Sequence, residues 1–172
     1  LYGGCSGEHE ISLLSAASVL NALESHQYEV TCIAGDKEGH WYKTAANTLL
    51  PLSQNAPLAI KNSTSEKIHL STEHFKDIYA VLPIIHGPLF EDGRLQGFLD
   101  LCQVAYLGSG HMSSAIAMDK DMAKVIAQHH GVNIAPYHVI KKDMPADKRL
   151  EIIEKAIKTL HFPLLVKPAC MG

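Results

Sequence analysis

The stretch from Val81 to Gly110 limits the possible folds of this chain more than any other segment. It opens with an apolar run that is typical of a strand buried on both faces of a parallel sheet: Val81, Leu82, Ile84 and Ile85. His86-Gly87-Pro88 ends this strand, and the polar loop Glu91-Asp92-Gly93 follows. Apolar residues at helical spacing come next, at Leu95, Phe98, Leu99 and Cys102. A histidine and two carboxylates therefore lie between a buried strand and a helix, at the edge of an open α/β sheet where ligands bind.

Strand and helix patterns alternate along the rest of the chain. Helices are predicted from a cap at Ser6 to about Ser25, from Met118-Asp119-Lys120, with Asp119 as N-cap, to about Gly131, and over 150–160. Strands are predicted at 28–34, 67–70, 104–107, 136–140 and 164–167, with a small hairpin at Trp41. The polar segment 49–66 predicts a surface loop. This alternation predicts an α/β fold of two units, 1–112 and 113–172, with a boundary near Ser113.

Composition restricts the function classes. The 172 residues are 47% hydrophobic with a formal net charge of -3, which favours a folded core and gives no electrostatic footprint for nucleic acid. No apolar run approaches the roughly 18 residues of a membrane span, and no signal peptide is recognisable. Four scattered cysteines predict buried free thiols and a cytoplasmic protein. We expect a fragment, because Leu1 and Tyr2 read as the end of a strand and Gly172 lies at the start of a loop.

Three acidic or basic side chains near predicted strand ends are candidate ligands. Glu8 follows a glycine turn, where a carboxylate could hold an ammonium group or simply favour the helix N-terminus, as Glu10 could. His86 could donate to a substrate carboxylate or could be a core histidine bound to a carbonyl. Glu91 could act as an acid or base, although the Asp-Gly that follows it is common in turns. Glu8, His9 and His86 match no metal motif, so no metal site is predicted from them.

Two lysines occupy positions that suit a polyphosphate. Lys120 lies at a helix start, where its charge works against the helix dipole. Lys167 ends an apolar strand just before a loop of small residues. Converging cations would neutralise phosphate charge, whereas each lysine taken alone could be a solvated surface residue.

Four motifs together resemble the D-alanine–D-alanine ligases. The first runs from Gly3-Gly4 through Ser6 and Glu8 to Ser12-Leu13, and the second from His86-Gly87 through Glu91-Asp92-Gly93 to Gln96-Gly97. Gly108-Ser109-Gly110 with Met118-Asp119-Lys120 is similar to the stretch that leads into the ATP-grasp region. Pro163 to Pro168, with Gly172, is similar to the start of the phosphate loop. The resemblance covers nearly the whole chain.

The resemblance implies a fold and a set of roles. It implies a Rossmann-like, mainly parallel sheet with helices on both faces, followed by the first part of an ATP-grasp module. It implies an ATP- and Mg²⁺-dependent cytoplasmic homodimer that makes D-alanyl-D-alanine for peptidoglycan through an acylphosphate. Glu8 would hold the ammonium of the first D-alanine, His86 would lie near its carboxylate, and Lys120 and Lys167 would contact ATP phosphates. Glu91 would support the site by pairing with a lysine outside this chain.

Phe90 departs from the family pattern, because the family usually has glycine at this position, and it could alter the loop. The metal ligands, the adenine contacts and the second substrate site are expected outside this chain, so the chain alone should be inactive. One alternative is a related ligase that forms D-alanyl-D-lactate or D-alanyl-D-serine. Another is a non-catalytic Rossmann-like module that binds a ligand or a partner.

Overall fold

Five strands form one mixed sheet in the computed structural model, which describes residues 1–23, 27–46, 57–61 and 64–171. The strands are β1 (Tyr2–Gly3), β2 (Thr31–Gly35), β3 (Trp41–Ala45), β4 (Glu66–Ile68) and β5 (Ile84–Ile85), in the order β4-β3-β2-β1-β5. β1 pairs in parallel with both β2 and β5, whereas β3 pairs antiparallel with β2 and β4. The α/β class is confirmed, and the parallel part of the sheet is limited to β2, β1 and β5.

The helices follow the predicted pattern, with one addition. They are α1 (His9–Ala22), α2 (Arg94–Leu101), α3 (His111–Met118), α4 (Lys120–His129) and α5 (Ala146–Thr159), besides a short 3₁₀ helix at Thr72–Phe75. Asp119 is the N-cap of α4, as predicted, because its carboxylate accepts hydrogen bonds from the backbone N–H groups of Asp121 and Met122. The sequence did not predict α3. None of the helices in the described ranges is long and apolar enough to cross a bilayer.

Two apolar cores cover opposite faces of the sheet. Neighbouring residues of a strand point to opposite faces, so Cys32 and Ala34 pack on one face and Ile33 on the other. Helix α1 supplies Leu13, Ala16 and Ala17 to the first core. Helix α2 supplies Leu95 and Leu99 to the second. The predicted arrangement of helices on both faces is therefore confirmed.

Several predicted strands have different extents. The β2–β3 hairpin contains Trp41 as predicted. Of the predicted strand 104–107, Tyr106 alone forms a bridge, with Val81. The segments 136–140 and 164–167 contain no strand, since neither pairs with another segment among the described residues. Ser25, the predicted end of the first helix, and most of the predicted loop 49–66 lie outside the described residues.

The cysteines are free, but the prediction that they are buried was wrong for two of them. Cys5 and Cys170 are exposed, and Cys102 is partly buried. Cys32 lies in the core next to α1, where burial raises the pKa of its thiol. Cys5 and Cys170 both lie in loops, outside the helices and strands.

Contacts divide the chain into two units. Residues 1–115 contain the whole sheet with α1 and α2, and residues 116–171 contain α4 and α5. The first unit holds both apolar cores. Within the second unit as described, α4 and α5 contain no buried residue.

Candidate functional site

The ends of β1 and β5 create a place where a ligand could bind. These two strands are adjacent and parallel, so the loops that follow them leave the same edge of the sheet. The loop after β1 leads into α1, which packs on one face, whereas the loop after β5 leads into α2, which packs on the other. Diverging connections of this kind open a crevice at the carboxyl ends of the strands. Glu8 belongs to the first loop, and His86, Gly87 and Glu91 belong to the second.

The loop after β1 is tightly built around Gly4. Gly4 has a φ of +87°, and its N–H donates to the carbonyl of Gly35 at 2.8 Å. A Cβ at Gly4 would lie 2.6 Å from the ring of Phe90, so no larger residue fits without movement. The buried His9 has its Nδ1 2.6 Å from the carbonyl oxygen of Gly4, which makes it a structural histidine of this turn.

Ser6 joins the two loops. Its hydroxyl donates to the carbonyl of His86 at 2.6 Å and accepts from the N–H of Glu8 at 3.2 Å. The Glu8 carboxylate lies against the second loop, since Oε1 would be 3.4 Å from a Cβ placed on Gly87. The two loops predicted to carry the substrate ligands therefore contact each other.

The acidic side chains at the start of α1 have different surroundings. Glu8, rather than the predicted Ser6, is the N-cap residue of α1, and its side chain makes no capping hydrogen bond. Its carboxylate is therefore not used to close the helix. Glu10 forms an ion pair with Lys37 at 2.7 Å, and the hydrogen bond from Lys37 lowers the pKa of the Glu10 carboxyl.

His86 has a neighbour at each ring nitrogen. Its Nδ1 lies 3.6 Å from Oε1 of Glu91, and its Nε2 lies 3.3 Å from the hydroxyl oxygen of Ser15 in α1. The other carboxylate oxygen of Glu91 accepts a hydrogen bond of 2.7 Å from the N–H of Gly87. Glu91 is therefore held by the loop itself and faces His86. The imidazole is 28% exposed, so a small ligand could reach it.

The remaining residues of the second loop stabilise its shape. Asp92 accepts hydrogen bonds from the N–H groups of Leu89 at 2.9 Å and Arg94 at 3.2 Å, so it acts as a turn residue. The amide of Gln96 donates to the carbonyl of Phe90 at 3.0 Å. Phe90 itself is buried and makes an edge-to-face contact with Trp41, at a centroid distance of 6.3 Å. Phe90 thus points into the core, and Leu89 before it has a positive φ of +78°.

Lys120 and Lys167 belong to the second unit. The backbone N–H of Lys120 donates to the carbonyl of Ala169 at 3.0 Å, which brings the segment after Lys167 to the start of α4. The ammonium of Lys120 lies 3.5 Å from the carbonyl of Met171, and the side chain of Lys167 is exposed. Hydrogen bonding from the N–H of Met122 lowers the pKa of the nearby Asp119 carboxyl. Gly172, which belongs to the predicted phosphate loop, lies outside the described residues.

One group of possible metal ligands lies elsewhere in the first unit. Of the described residues, Asp36, Glu38 and His40 hold their ligand atoms within 4.8 Å of one another. They lie on the turn between β2 and β3, where Asp36 already accepts a hydrogen bond of 2.7 Å from the N–H of His40. This group does not include Glu8, His86 or Glu91.

The sequence analysis missed Ser15. A serine in the middle of an apolar helix gave no separate signal, although it stands seven positions after Glu8. Seven residues are close to two helical turns, so the two positions lie on the same side of the helix. That spacing is the signal that could have identified it.

Comparisons of the sequence and of the structure with known proteins both find D-alanine–D-alanine ligases. The family model of the D-ala D-ala ligase N-terminus matches residues 1–109. The D-alanine–D-alanine ligase of Legionella pneumophila (strain Corby) is 43% identical over 173 residues, which cover 100% of this chain and 48% of that protein. The D-alanine–D-alanine ligase from Coxiella burnetii is similar in structure, with a TM-score of 0.69 and 27% identity over 92% of this chain and 49% of its own.

A second solved structure is similar to nearly the whole chain. The VanG D-Ala:D-Ser ligase from Enterococcus faecalis matches with a TM-score of 0.72 and 27% identity, over 99% of this chain and 51% of its own. The chain spans about half the length of the curated relatives it matches.

Proposed function

Because this chain belongs to the D-alanine–D-alanine ligase N-terminal family, we propose that its protein joins two D-alanines into D-alanyl-D-alanine at the expense of ATP. The product would serve peptidoglycan precursor synthesis. The observation that carries this proposal is the contact between the Glu8 and His86 loops at the carboxyl ends of two adjacent parallel strands. Residues 1–112 would form the substrate-binding domain, and residues 113–172 would begin the ATP-grasp domain.

The proposed reaction has two steps. The carboxylate of the first D-alanine attacks the γ-phosphorus of ATP, which forms an acylphosphate and releases ADP. The amine of the second D-alanine attacks the acyl carbon, and the tetrahedral intermediate collapses to the dipeptide and inorganic phosphate. Positioning and charge neutralisation supply most of the catalysis in such phosphoryl transfers.

Glu8 and His86 would bind the first D-alanine at its two ends. The Glu8 carboxylate would pair with the ammonium group, and His86 would donate a hydrogen bond near the carboxylate. Glu8 is exposed and makes no capping hydrogen bond, and His86 is partly exposed, which is consistent with ligand binding. Glu91 would support the site, since it binds the loop backbone and faces His86. Its pairing with a lysine outside this chain remains part of the proposal.

Lys120 and Lys167 would bind ATP phosphates. The exposed side chain of Lys167 and the segment of small residues that reaches Lys120 at the start of α4 support this role. Bound Mg²⁺ would neutralise phosphate charge in this chemistry. The described residues offer no group of metal ligands beside either lysine, so we expect the Mg²⁺ ligands elsewhere in the protein.

The partners follow from this reaction. We propose a cytoplasmic homodimer that binds D-alanine and ATP, without nucleic acid or membrane. The small net charge of -3 is consistent with a protein that does not bind nucleic acid.

A D-alanyl-D-serine product is the second candidate, and the likeness to the VanG D-Ala:D-Ser ligase supports it. The test is ATP-dependent release of phosphate by the full-length gene product, with D-alanine alone and with D-serine or D-lactate added. We expect release with D-alanine alone and D-alanyl-D-alanine as the product by mass spectrometry. A mixed dipeptide or depsipeptide as the main product would favour the related ligases, and no release with any of them would favour a binding module.

A further inference from the structure

Ser15 of α1 contacts the Nε2 side of the His86 ring. Its hydroxyl oxygen lies 3.3 Å from Nε2 of His86, although 71 positions separate the two residues. Ser15 is half-buried in α1, and the same side of this helix carries Ser12, whose hydroxyl donates to the carbonyl of Ile84. Ser12 therefore anchors the helix to β5 one residue before the strand ends. The contact between Ser15 and His86 lies on this fixed surface.

The two ring nitrogens of His86 face different chemical groups. A carboxylate only accepts hydrogen bonds, so Glu91 favours a proton on Nδ1, which lies 3.6 Å from it. A serine hydroxyl can donate or accept, so Ser15 can accept from Nε2–H or donate to a bare Nε2. With the proton on Nδ1, beside Glu91, Ser15 donates to Nε2. The separation of Nδ1 from Glu91 exceeds the length of a hydrogen bond. The Nδ1–H group is therefore the donor that remains for a ligand oxygen.

We propose that Ser15 is a positioning residue that fixes the ring plane and the tautomer of His86. With Ser15 donating to Nε2 and Glu91 beside Nδ1, the neutral ring keeps its proton on Nδ1, where a ligand oxygen can accept it. The importance of this for catalysis rests on the proposed function, in which His86 donates to the first D-alanine. Ser15 itself touches no substrate in this arrangement.

The test uses the full-length gene product and two matched serines of α1. Ser18→Ala is the control, because Ser18 is exposed and its hydroxyl donates to the carbonyl of Leu14 at 3.1 Å, within the helix. Ser15→Ala removes the hydroxyl, and Ser15→Thr retains one. Alanine and threonine both fit a half-buried helix position, and far-UV circular dichroism checks that each variant folds.

The first readout is independent of activity. Nitrogen-15 NMR of the imidazole, at a pH where the ring is neutral, reports which nitrogen carries the proton. We expect the Nδ1–H tautomer of His86 in the unchanged protein, in Ser18→Ala and in Ser15→Thr, and a mixture of both tautomers in Ser15→Ala. An unchanged tautomer in Ser15→Ala would overturn the proposal.

The second readout is steady-state kinetics. One neutral hydrogen bond corresponds to roughly a three- to tenfold effect, so Ser15→Ala should raise KM for the first D-alanine by about that factor. KM for ATP should not change. Equal effects on both substrates would show a general structural role and overturn the proposal. A tautomer change in a protein that makes no dipeptide would preserve the role of Ser15 and reject the proposed function.

Discussion

At the scale of single residues, neighbouring side chains of the two loops make different contacts. His9 and Asp92 lie beside Glu8 and Glu91 in sequence, but both bind the backbone of their own turns. The Glu8 side chain makes no capping hydrogen bond, and Glu91 faces His86. Sequence position alone could not distinguish these neighbours, because a carboxylate next to a turn suits both roles.

Two substitutions test the proposed division of roles in the full-length protein. Lys167→Met should reduce turnover or raise KM for ATP roughly a hundredfold, because it removes a cation from the phosphates. It should leave the affinity for the first D-alanine, measured by calorimetry without nucleotide, nearly unchanged. Glu8→Gln should weaken D-alanine binding and spare ATP binding. The division is wrong if both variants weaken D-alanine binding equally and leave ATP binding intact.

At the scale of elements, the turn between β1 and α1 connects the core to the site. Gly4 needs a φ that other residues rarely adopt, and the ring of Phe90 occupies the space next to it. Phe90 therefore packs against Gly4 of the first loop. The amide of Gln96 donates to the Phe90 carbonyl and so fixes the backbone of the second loop at this residue.

Gly4→Ala should lower the free energy of unfolding by about 3 kcal/mol or more, because backbone strain adds to overlap with Phe90. Gly39 also has a positive φ, +86°, but a Cβ added there would meet no atom within 4 Å. Backbone strain alone should therefore make Gly39→Ala cost about 1–2 kcal/mol. Gly7→Ala has open space and should change stability by less than about 0.5 kcal/mol. Urea denaturation of the three variants measures the differences. Equal stability of Gly4→Ala and Gly7→Ala would contradict this account of the turn.

At the scale of the whole molecule, α1 contributes Ser15 to the candidate site and also exposes apolar side chains. Ile11 and Leu14 on this helix are 55% and 43% exposed. Exposed aliphatic residues on a helix of the first unit are consistent with the proposed homodimer, in which the segment from Leu1 to about Ser25 contributes to the interface.

Sedimentation velocity of the full-length protein at micromolar concentration should give twice the mass of one chain. Leu14→Glu should shift this protein toward monomer, because a carboxylate would be buried in the interface. Leu101→Glu is the control, since Leu101 is 81% exposed at the end of α2 and should leave the mass unchanged. A monomer before any substitution would reject the proposed dimer.

The sequence by itself determined the elements whose signals are local. The apolar spacing of α2 and α5, the Asp119 cap of α4 and the hairpin at Trp41 all depend on neighbouring residues, and the structure confirms them. The α/β class is also confirmed, because the alternation of strands and helices is a property of the chain order. The two loops that carry Glu8, His86 and Glu91 were identified from the same local patterns.

Only the tertiary structure decided which partners these segments acquire. Segments 136–140 and 164–167 have strand-like composition but no neighbour to pair with among the described residues. The sheet became mixed because β3 and β4 pair antiparallel beyond β2. The contact of Ser15 with His86 spans 71 positions and depends on α1 crossing the sheet beside β5. Contacts between distant residues arise from packing, so the spacing in the sequence can place Ser15 on the side of Glu8 but cannot show that it reaches His86.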